Sequence, residues 1–364
     1  MNGMKFTWRV DSFFYLFLIY LPMPIIGKAL GAPASFVFMT ACLGIIPLAW
    51  LMGKATEYLA DRIGAGPGGL LNATFGNACE LIIAFAALRA GMIDVVKASL
   101  TGSIISNILL VLGCSMLAGG MRYEMQTFNR TAATTSATLL ALAAISLCVP
   151  AVFHFSGSHA HLNEEKLALA IAVIQFITYI LSLIFSLKTH RQLYGGSGGE
   201  VDREGEEAIG VTGWGVKKSV IILVIATVFV AILSEYLVNA VEATAASLGM
   251  TKLFIGVVLV AIVGNAAEHS TAVLMALKNK MDLSINIALG SGSQIALFVA
   301  PMMVFASWML GKPMNLCFTE VEILAVVVSV IILSFVATDG ECNWLEGVQL
   351  LATYAILAAA FYFG

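Results

Sequence analysis

Charge is what this sequence has least of. Of its 364 residues 11% are Asp, Glu, Lys or Arg and 60% are hydrophobic, with a mean hydropathy of +0.94. A soluble domain carries about 25% charge, so the deficit excludes an ordinary soluble fold and points to a polytopic membrane protein. No cysteine pair has CxxC spacing: Cys42, Cys79, Cys114, Cys148, Cys317 and Cys342 are scattered, four of them within apolar runs. They read as small helix residues rather than metal or disulfide partners. There is no HExxH helix, P-loop or GxSxG elbow, and no soluble block that could serve as a nucleotide domain. An intramembrane protease, a hydrolase and an ATP-driven pump are therefore disfavoured, and no enzyme activity, cofactor or nucleic-acid partner is expected. The N-terminal apolar run, Phe13 to about Ile26, lacks a small-residue cleavage site and a polar mature domain after it, so it reads as a retained helix.

What is present is long apolar runs. A membrane helix needs about 20 mostly apolar residues. Eleven candidates lie at 12–30, 34–53, 68–90, 95–119, 131–153, 165–187, 216–247, 251–277, 282–310, 319–337 and 343–362. Pro22 and Pro24 kink the first, and the seventh is long enough to tilt or break near Glu235. Between the sixth and seventh lies a Gly-rich acidic stretch, Gly195 to Gly210, with Glu200, Asp202, Glu204, Glu206 and Glu207. Glycine and like charge resist packing, so it reads as a solvated tether, with a cation-attracting regulatory segment as the sharper alternative.

Two stretches align without a gap. GNACELIIAFAALRAGMIDVVKASLTGSIISN (Gly76–Asn107) superposes on GNAAEHSTAVLMALKNKMDLSINIALGSGSQI (Gly264–Ile295) at a constant offset of 188. Gly76, Asn77 and Glu80 fall on Gly264, Asn265 and Glu268, and Asp94, Gly102 and Ser103 fall on Asp282, Gly290 and Ser291. A repeat decides the fold, and each copy sets one glutamate in an apolar run, where a carboxylate is costly and marks function by default. Four units follow: an N-terminal helix (1–33), a first five-helix repeat (34–187), the acidic linker (188–215) and a second five-helix repeat (216–364). An odd number of crossings per repeat inverts the second copy, the plan of many secondary transporters, with the site at the midplane. The fold class is thus an all-α polytopic membrane protein of about eleven helices, with two inverted repeats and an extra N-terminal helix. Thirteen Lys and Arg residues, from Lys5 to Lys280 and including Lys54, fall on the N-terminal side. Six (Lys28, Arg89, Lys97, Lys166, Lys252 and Lys312) fall on the other. The N-terminus and linker then face the cytoplasm and the C-terminus the opposite side. Short loops suit a prokaryotic cell membrane, with an organellar one as the alternative.

On a continuous helix, residues three and four apart share a face. Gly76, Asn77 and Glu80 would then present a glycine, an amide oxygen and a carboxylate together, as would Gly264, Asn265 and Glu268. The following helices add Ser103, Ser106 and Asn107 in one copy and Ser291, Ser293 and Gln294 in the other, with Gly102, Gly290 and Gly292 permitting close approach. Brought together, these groups form an oxygen-rich cage with two carboxylates and one nearby imidazole, His269. Hard cations want that set, calcium taking about six to eight oxygens, whereas magnesium keeps its waters. Two close carboxylates out of water resist simultaneous ionisation, so the same pair can carry protons. Cation and proton competing for one alternately exposed site give antiport. The candidate cation ligands are Glu80, Glu268, Asn77, Asn265, Ser103, Ser291, Gln294, Gly76 and Gly264, with Glu80 and Glu268 also carrying protons. Small polar residues often only glue membrane helices, and a lone glutamate can be a packing hydrogen bonder. Glu57 and Glu242 are candidate entrance residues. His154, His159 and His161 have poor spacing for a metal site and read as a solvated loop.

At these residues the chain resembles the calcium/cation–proton antiporter family of the calcium–cation exchanger superfamily. GNACELI at Gly76–Ile82, GNAAEH at Gly264–His269, SLTGSIISNILLVLG at Ser99–Gly113 and NKMDLSINIALGSGSQIALFVAP at Asn279–Pro301 carry the likeness, which spans about Phe13 to the end. The surroundings of Gln294 favour the proton-coupled over the sodium-coupled branch. The resemblance implies eleven helices, Glu80 and Glu268 as the shared calcium and proton site, and the second and seventh helices sliding as a gating pair over a core of the third, fourth, eighth and ninth. The chain departs from relatives in its short N-terminus, its five-acid linker and Leu81 where some carry histidine. Sodium-coupled or manganese-selective exchange is the rival within the class, and a passive cation channel the rival outside it. Whether the chain pairs with a second copy is left open.

Overall fold

The computed structural model describes residues 14–63, 65–155, 161–194 and 214–364. The linker acids Glu200, Asp202, Glu204, Glu206 and Glu207, and His159, lie outside the described residues. The described chain is helical except for loops and one two-stranded ribbon, β1 (Gln126–Thr127) antiparallel to β2 (Glu341–Cys342). In order the helices are α1 (Phe14–Ala29), α2 (Ala34–Ile63), α3 (Ala65–Phe75), α4 (Ala78–Arg89), α5 (Ile93–Gly120), α6 (Arg130–Phe155) and α7 (His161–Ile184). After them come α8 (Val216–Leu248), α9 (Lys252–Gly264), α10 (Ala266–Leu277), α11 (Met281–Met309), α12 (Glu320–Val336) and α13 (Trp344–Phe363). Seven of these, α2, α5, α6, α7, α8, α11 and α13, are long and apolar enough to cross a membrane. The count rises to eight if α9 and α10, bent by 63° at their junction, form one span.

Local chemistry sets the ends. Thr319 and Asn343 begin α12 and α13 with capping boxes closed by Glu322 and Glu346, and Thr251 accepts from the Phe254 amide at 2.9 Å to begin α9. Such caps satisfy amides that the first turn leaves bare. Gly249 ends α8 at φ 64°. Of the two expectations for that helix, a tilt or a break near Glu235, the break does not occur: nothing near Glu235 interrupts its backbone ladder, and the exposed carboxylate reaches Arg89 at 3.4 Å.

The sequence repeat recurs in the backbone. Shifting α4 by 188 residues lands on α10 at both ends, and Ile93, the start of α5, lands on Met281, the start of α11. Both α5 and α11 contain a π-helical turn, at Ser106–Val111 and Ile295–Val299. Such turns are rare and concentrate at functional sites. α2 and α8 pack side by side, and α5 packs on the Ile255–Val260 segment of α9.

Two lysines do not lie where the loop reading puts them. Lys54 is 2% exposed within α2 and Lys97 is 8% exposed within α5. Lys54 is held over the Trp50 ring, 3.9 Å from its centroid, a cation–π contact worth more once water is excluded. Lys97 donates to Asn315 Oδ1 at 2.6 Å and to the Cys317 carbonyl at 2.8 Å.

The α5–α9 contact depends on glycine. A methyl at Gly102 would sit 2.1 Å from the Val257 carbonyl oxygen and 2.5 Å from its Cα, backbone that cannot turn aside. Gly290, its counterpart, has nothing within 4 Å of that position and borders open space, so the expected close approach occurs at one glycine of the pair. Thermal unfolding of the purified protein checks this difference. Gly102→Ala is expected to lose about 1–3 kcal/mol through overpacking, and Gly290→Ala to be neutral or slightly stabilising.

Candidate cation site

The two motif segments are not continuous helices. The turn passes through Gly76 and Asn77 between α3 and α4, and through Asn265 between α9 and α10. Asn77 (φ −98°, ψ 17°) and Asn265 (φ −94°, ψ 10°) leave the α-helical region at the junction. Asn and Glu in each copy therefore do not share the face of one helix, which corrects the spacing argument. Each glutamate instead occupies the first turn of a twelve-residue helix, Glu80 in α4 and Glu268 in α10. Helix N-termini carry bare amides and the positive end of the dipole, which favours a carboxylate there.

Glu80 is 8% exposed; Glu268 is partly exposed. Glu80 lies close enough to Glu268 to feel its charge. Gly264 connects them: a methyl there would sit 3.3 Å from Glu80 Cγ and 3.4 Å from its Oε1, so the backbone of one motif rests on the carboxylate of the other. Oε2 of Glu80 and Oε2 of Glu268 are buried and accept no hydrogen bond within the described residues. Oxygen that buried normally finds a donor or a cation.

Two cavities meet at Gly264. A cleft of about 280 Å³ is lined by Glu268, Ser291, Gln294, Gly76 and Gly264, together with Trp50, Lys54, Glu57, Asn72 and Asn286. A pocket of about 10 Å³ is lined by Glu80, Ser99, Ser103 and Gly264. Ten cubic ångströms is about the room for one water. Glu268 thus lines the larger cleft and Glu80 the small pocket.

Amides hold the pair in place. Asn265 Nδ2 donates to Ser103 Oγ at 2.9 Å and to the Ala261 carbonyl at 2.8 Å. Asn107 Nδ2 lies 3.1 Å from both Asn265 Oδ1 and Ser291 Oγ, and 3.0 Å from the Ser103 carbonyl. Asn77 donates to Gln294 Oε1. All of these side-chain contacts between asparagine and serine or glutamine run from one repeat to the other except Ser291 with Asn265, at 3.5 Å. Ser106 bonds within its own helix, to the Ser103 carbonyl at 3.2 Å, and Ser293 does the same, to the Leu289 carbonyl at 2.8 Å.

Other candidates separate. Glu57 lines the cleft. Glu242 is exposed and pairs with Lys252, bordering neither cavity, because α8 turns that residue outward. Glu235 with Arg89 and Asn239 instead lines a shallow depression elsewhere on α8. His269 borders neither cavity. Lys54 is the cleft residue that sequence reading assigned to a loop; its place four residues into the apolar run beyond Trp50 was the available signal. His154 meets Glu164 at 2.7 Å rather than standing in water alone.

Residues 34–188 and 218–363, most of the chain, match the sodium/calcium exchanger protein family. The chain belongs to that family. It is 47% identical over 363 residues to a protein of Aphanothece halophytica named Ca(2+)/H(+) antiporter, covering 97% of each chain. It is 44% identical over 351 residues to the Ca(2+)/H(+) antiporter ChaA of Bacillus subtilis, covering 96% of this chain and 98% of that one. Among solved structures it is similar to native YfkE at 40% identity, with a TM-score of 0.83, over 96% of this chain and 100% of that one. As a member of this family with seven or eight apolar spans, the chain is a multi-pass integral membrane protein.

Asn107 has the most to lose among the polar residues, since its removal strands acceptors on both repeats. Asn107→Ala is expected to cost about 1–3 kcal/mol, read as a lowered unfolding midpoint. Ser293→Ala, which loses one bond inside its own helix, should stay within about 1 kcal/mol of the parent.

Proposed function

We propose that this chain is a secondary active transporter that exchanges Ca²⁺ for H⁺ by alternating access. The observation that carries the reading is the pair of glutamates at helix N-termini, one lining a cleft of about 280 Å³ and one a pocket of about 10 Å³, with a buried oxygen on each that accepts no hydrogen bond within the described residues. The names of the relatives support the exchanged ions. Glu80 and Glu268 bind the cation, assisted by Ser103, Ser291 and Gln294, and by the backbone at Gly76 and Gly264. Asn77 and Asn265 act chiefly by pinning these groups across the repeats. The set is all oxygen at its centre, which suits a hard divalent ion.

Protons use the same carboxylates. With the cation absent, a proton relieves the repulsion of two negative charges in a poorly solvated pocket. An arriving divalent ion displaces it. Competition at a site exposed to one side at a time is then exchange. The cleft beside Glu268 is the open side in this conformation, entered past Glu57 and Lys54, and Glu80 waits behind Gly264. Opening toward Glu80 needs the packed pair α2 and α8 to shift over the α3–α4, α5, α9–α10 and α11 core. The proposed plan is eleven helices: α1 within an N-terminal unit at 1–33, repeats at 34–187 and 216–364 in inverted orientation, and the linker 188–215 between them. The α3–α4 and α9–α10 pairs would each count as one broken span. With Lys54 and Lys97 removed from the loops, one from each side, the positive bias still places the N-terminus in the cytoplasm.

Proteoliposomes test the reading. A pH gradient alone should drive Ca²⁺ uptake without sodium, and Glu80→Gln or Glu268→Gln should abolish it. Uptake that follows sodium, or only the Ca²⁺ gradient, would overturn proton exchange. Apparent Ca²⁺ affinity should also fall as pH is lowered on the Ca²⁺-binding side, because protons then hold the carboxylates. Gly264→Ala, which presses on Glu80, is expected to weaken Ca²⁺ binding about tenfold, measured by equilibrium titration.

A further inference from the structure

A second group of metal-ligating side chains lies away from the glutamate pair. His154 stands near the end of α6, Glu164 in the first turn of α7, and Cys317 in the segment that leads into α12. His154 Nδ1 is 2.7 Å from Glu164 Oε1, and Cys317 Sγ is 3.9 Å from Glu164 Oε2. One ligand atom from each of the three falls within 4.8 Å of the others. Glu164 and Cys317 are 153 residues apart in sequence, so three separate parts of the chain converge here. Among the described residues this is the group of imidazole, carboxylate and thiol drawn this close.

The donors differ in kind from those of the transport site. That site offers oxygen. This one offers a ring nitrogen, a carboxylate oxygen and a sulfur. Calcium prefers oxygen alone, whereas nitrogen and sulfur donors with one carboxylate suit zinc and ions of similar softness. Glu164 is 6% exposed on its side chain and His154 is 50% exposed, so the group is anchored on one flank and exposed on the other. Three protein ligands with a fourth position left to water is an arrangement zinc adopts readily.

The surroundings prepare the ligands. Asn315 Nδ2 donates to Glu164 Oε2 at 3.2 Å, which orients the carboxylate, and such supports govern affinity. Lys97 Nζ donates to the carbonyl of Cys317 itself and to Asn315 Oδ1. Burial and the Glu164 carboxylate hold the Cys317 thiol protonated more strongly than the Lys97 ammonium draws it toward the thiolate, so an ion binding there must displace that proton. The ammonium also opposes an incoming cation, but its hydrogen bonds aim it at the carbonyl and the amide, not at the three donor atoms.

We propose that His154, Glu164 and Cys317 form a binding site for a thiophilic divalent ion of the zinc class, distinct from the calcium site. An ion held there ties α6, α7 and the segment before α12 together. Through Asn315 and Lys97 it also braces α5, the helix that carries Ser103. The site uses none of the transport carboxylates, so its existence does not depend on the exchange reading.

The test is Co²⁺ titration of the full chain, purified in detergent with any polyhistidine tag removed, followed by absorption spectroscopy. One equivalent should bind with a sulfur-to-cobalt charge-transfer band and the ligand-field bands of four-coordinate cobalt. Zn²⁺ should displace it and millimolar Ca²⁺ should not. Cys317→Ser should remove the charge-transfer band, and His154→Gln should weaken binding at least about tenfold. The doubly substituted Glu80→Gln, Glu268→Gln protein should keep the full spectrum. Zn²⁺ should also protect Cys317 from alkylation, mapped by mass spectrometry, in the parent and not in His154→Gln, which reads the site without substituting the thiol. Cobalt binding without the sulfur band, a band that survives Cys317→Ser, loss of the band in the Glu80, Glu268 double variant, or displacement by Ca²⁺ as effective as by Zn²⁺ would each overturn the proposal.

Discussion

Two carboxylates must be placed inside an apolar protein, and the arrangement of the chain follows from that constraint. An isolated charge in such a place is costly unless dipoles, hydrogen bonds or a counter-ion replace its lost hydration. The chain supplies dipoles by breaking two helices. Each break creates a helix start directly before a glutamate, and the asparagine at each junction turns its amide to the other repeat instead of capping its own helix. Backbone and side chain thus divide the labour. The former offsets charge, and the latter fixes how the two halves meet.

The halves are alike in backbone and unlike in detail. Asn107 has Ile295 as its counterpart, and Gln294 has Ser106. One junction asparagine therefore meets serine and asparagine, the other glutamine. Gly102 is packed hard on Val257 while Gly290 faces space. The two glutamates accordingly line cavities of very different size. Part of that difference is written into residues that cannot exchange roles.

The repeat and its two glutamates were legible because identical residues at a fixed offset need no structure to be seen. The family likeness followed from the same residues. The broken helices were not read, because three- and four-residue spacing is taken to mean a continuous face, and Gly-Asn in an apolar run is equally at home in an unbroken helix. Glu242 was read as an entrance by its position in the chain, whereas its neighbour Lys252 settles its contacts. Lys54 was counted with the loops, although a lysine can be buried when an aromatic ring and the cleft accommodate it. The contact of His154 with Glu164 and Cys317 had no sequence signature at all, since Cys317 arrives from the opposite half of the chain.

Lys54 gives the cleft a property of its own. Its ammonium is covalently tethered in the cleft that the proposed exchange gives to the mobile cation, which Glu57 and Glu268 also line. When both of those carboxylates are ionised, the cleft presents a net charge of one rather than two. An ion arriving there is attracted less strongly than two bare carboxylates would attract it, and leaves more readily. A carrier turns over only if its cargo can dissociate, and conduction through charged sites obeys the same balance between capture and release. The buried lysine can thus be seen as a built-in brake on affinity, traded for speed.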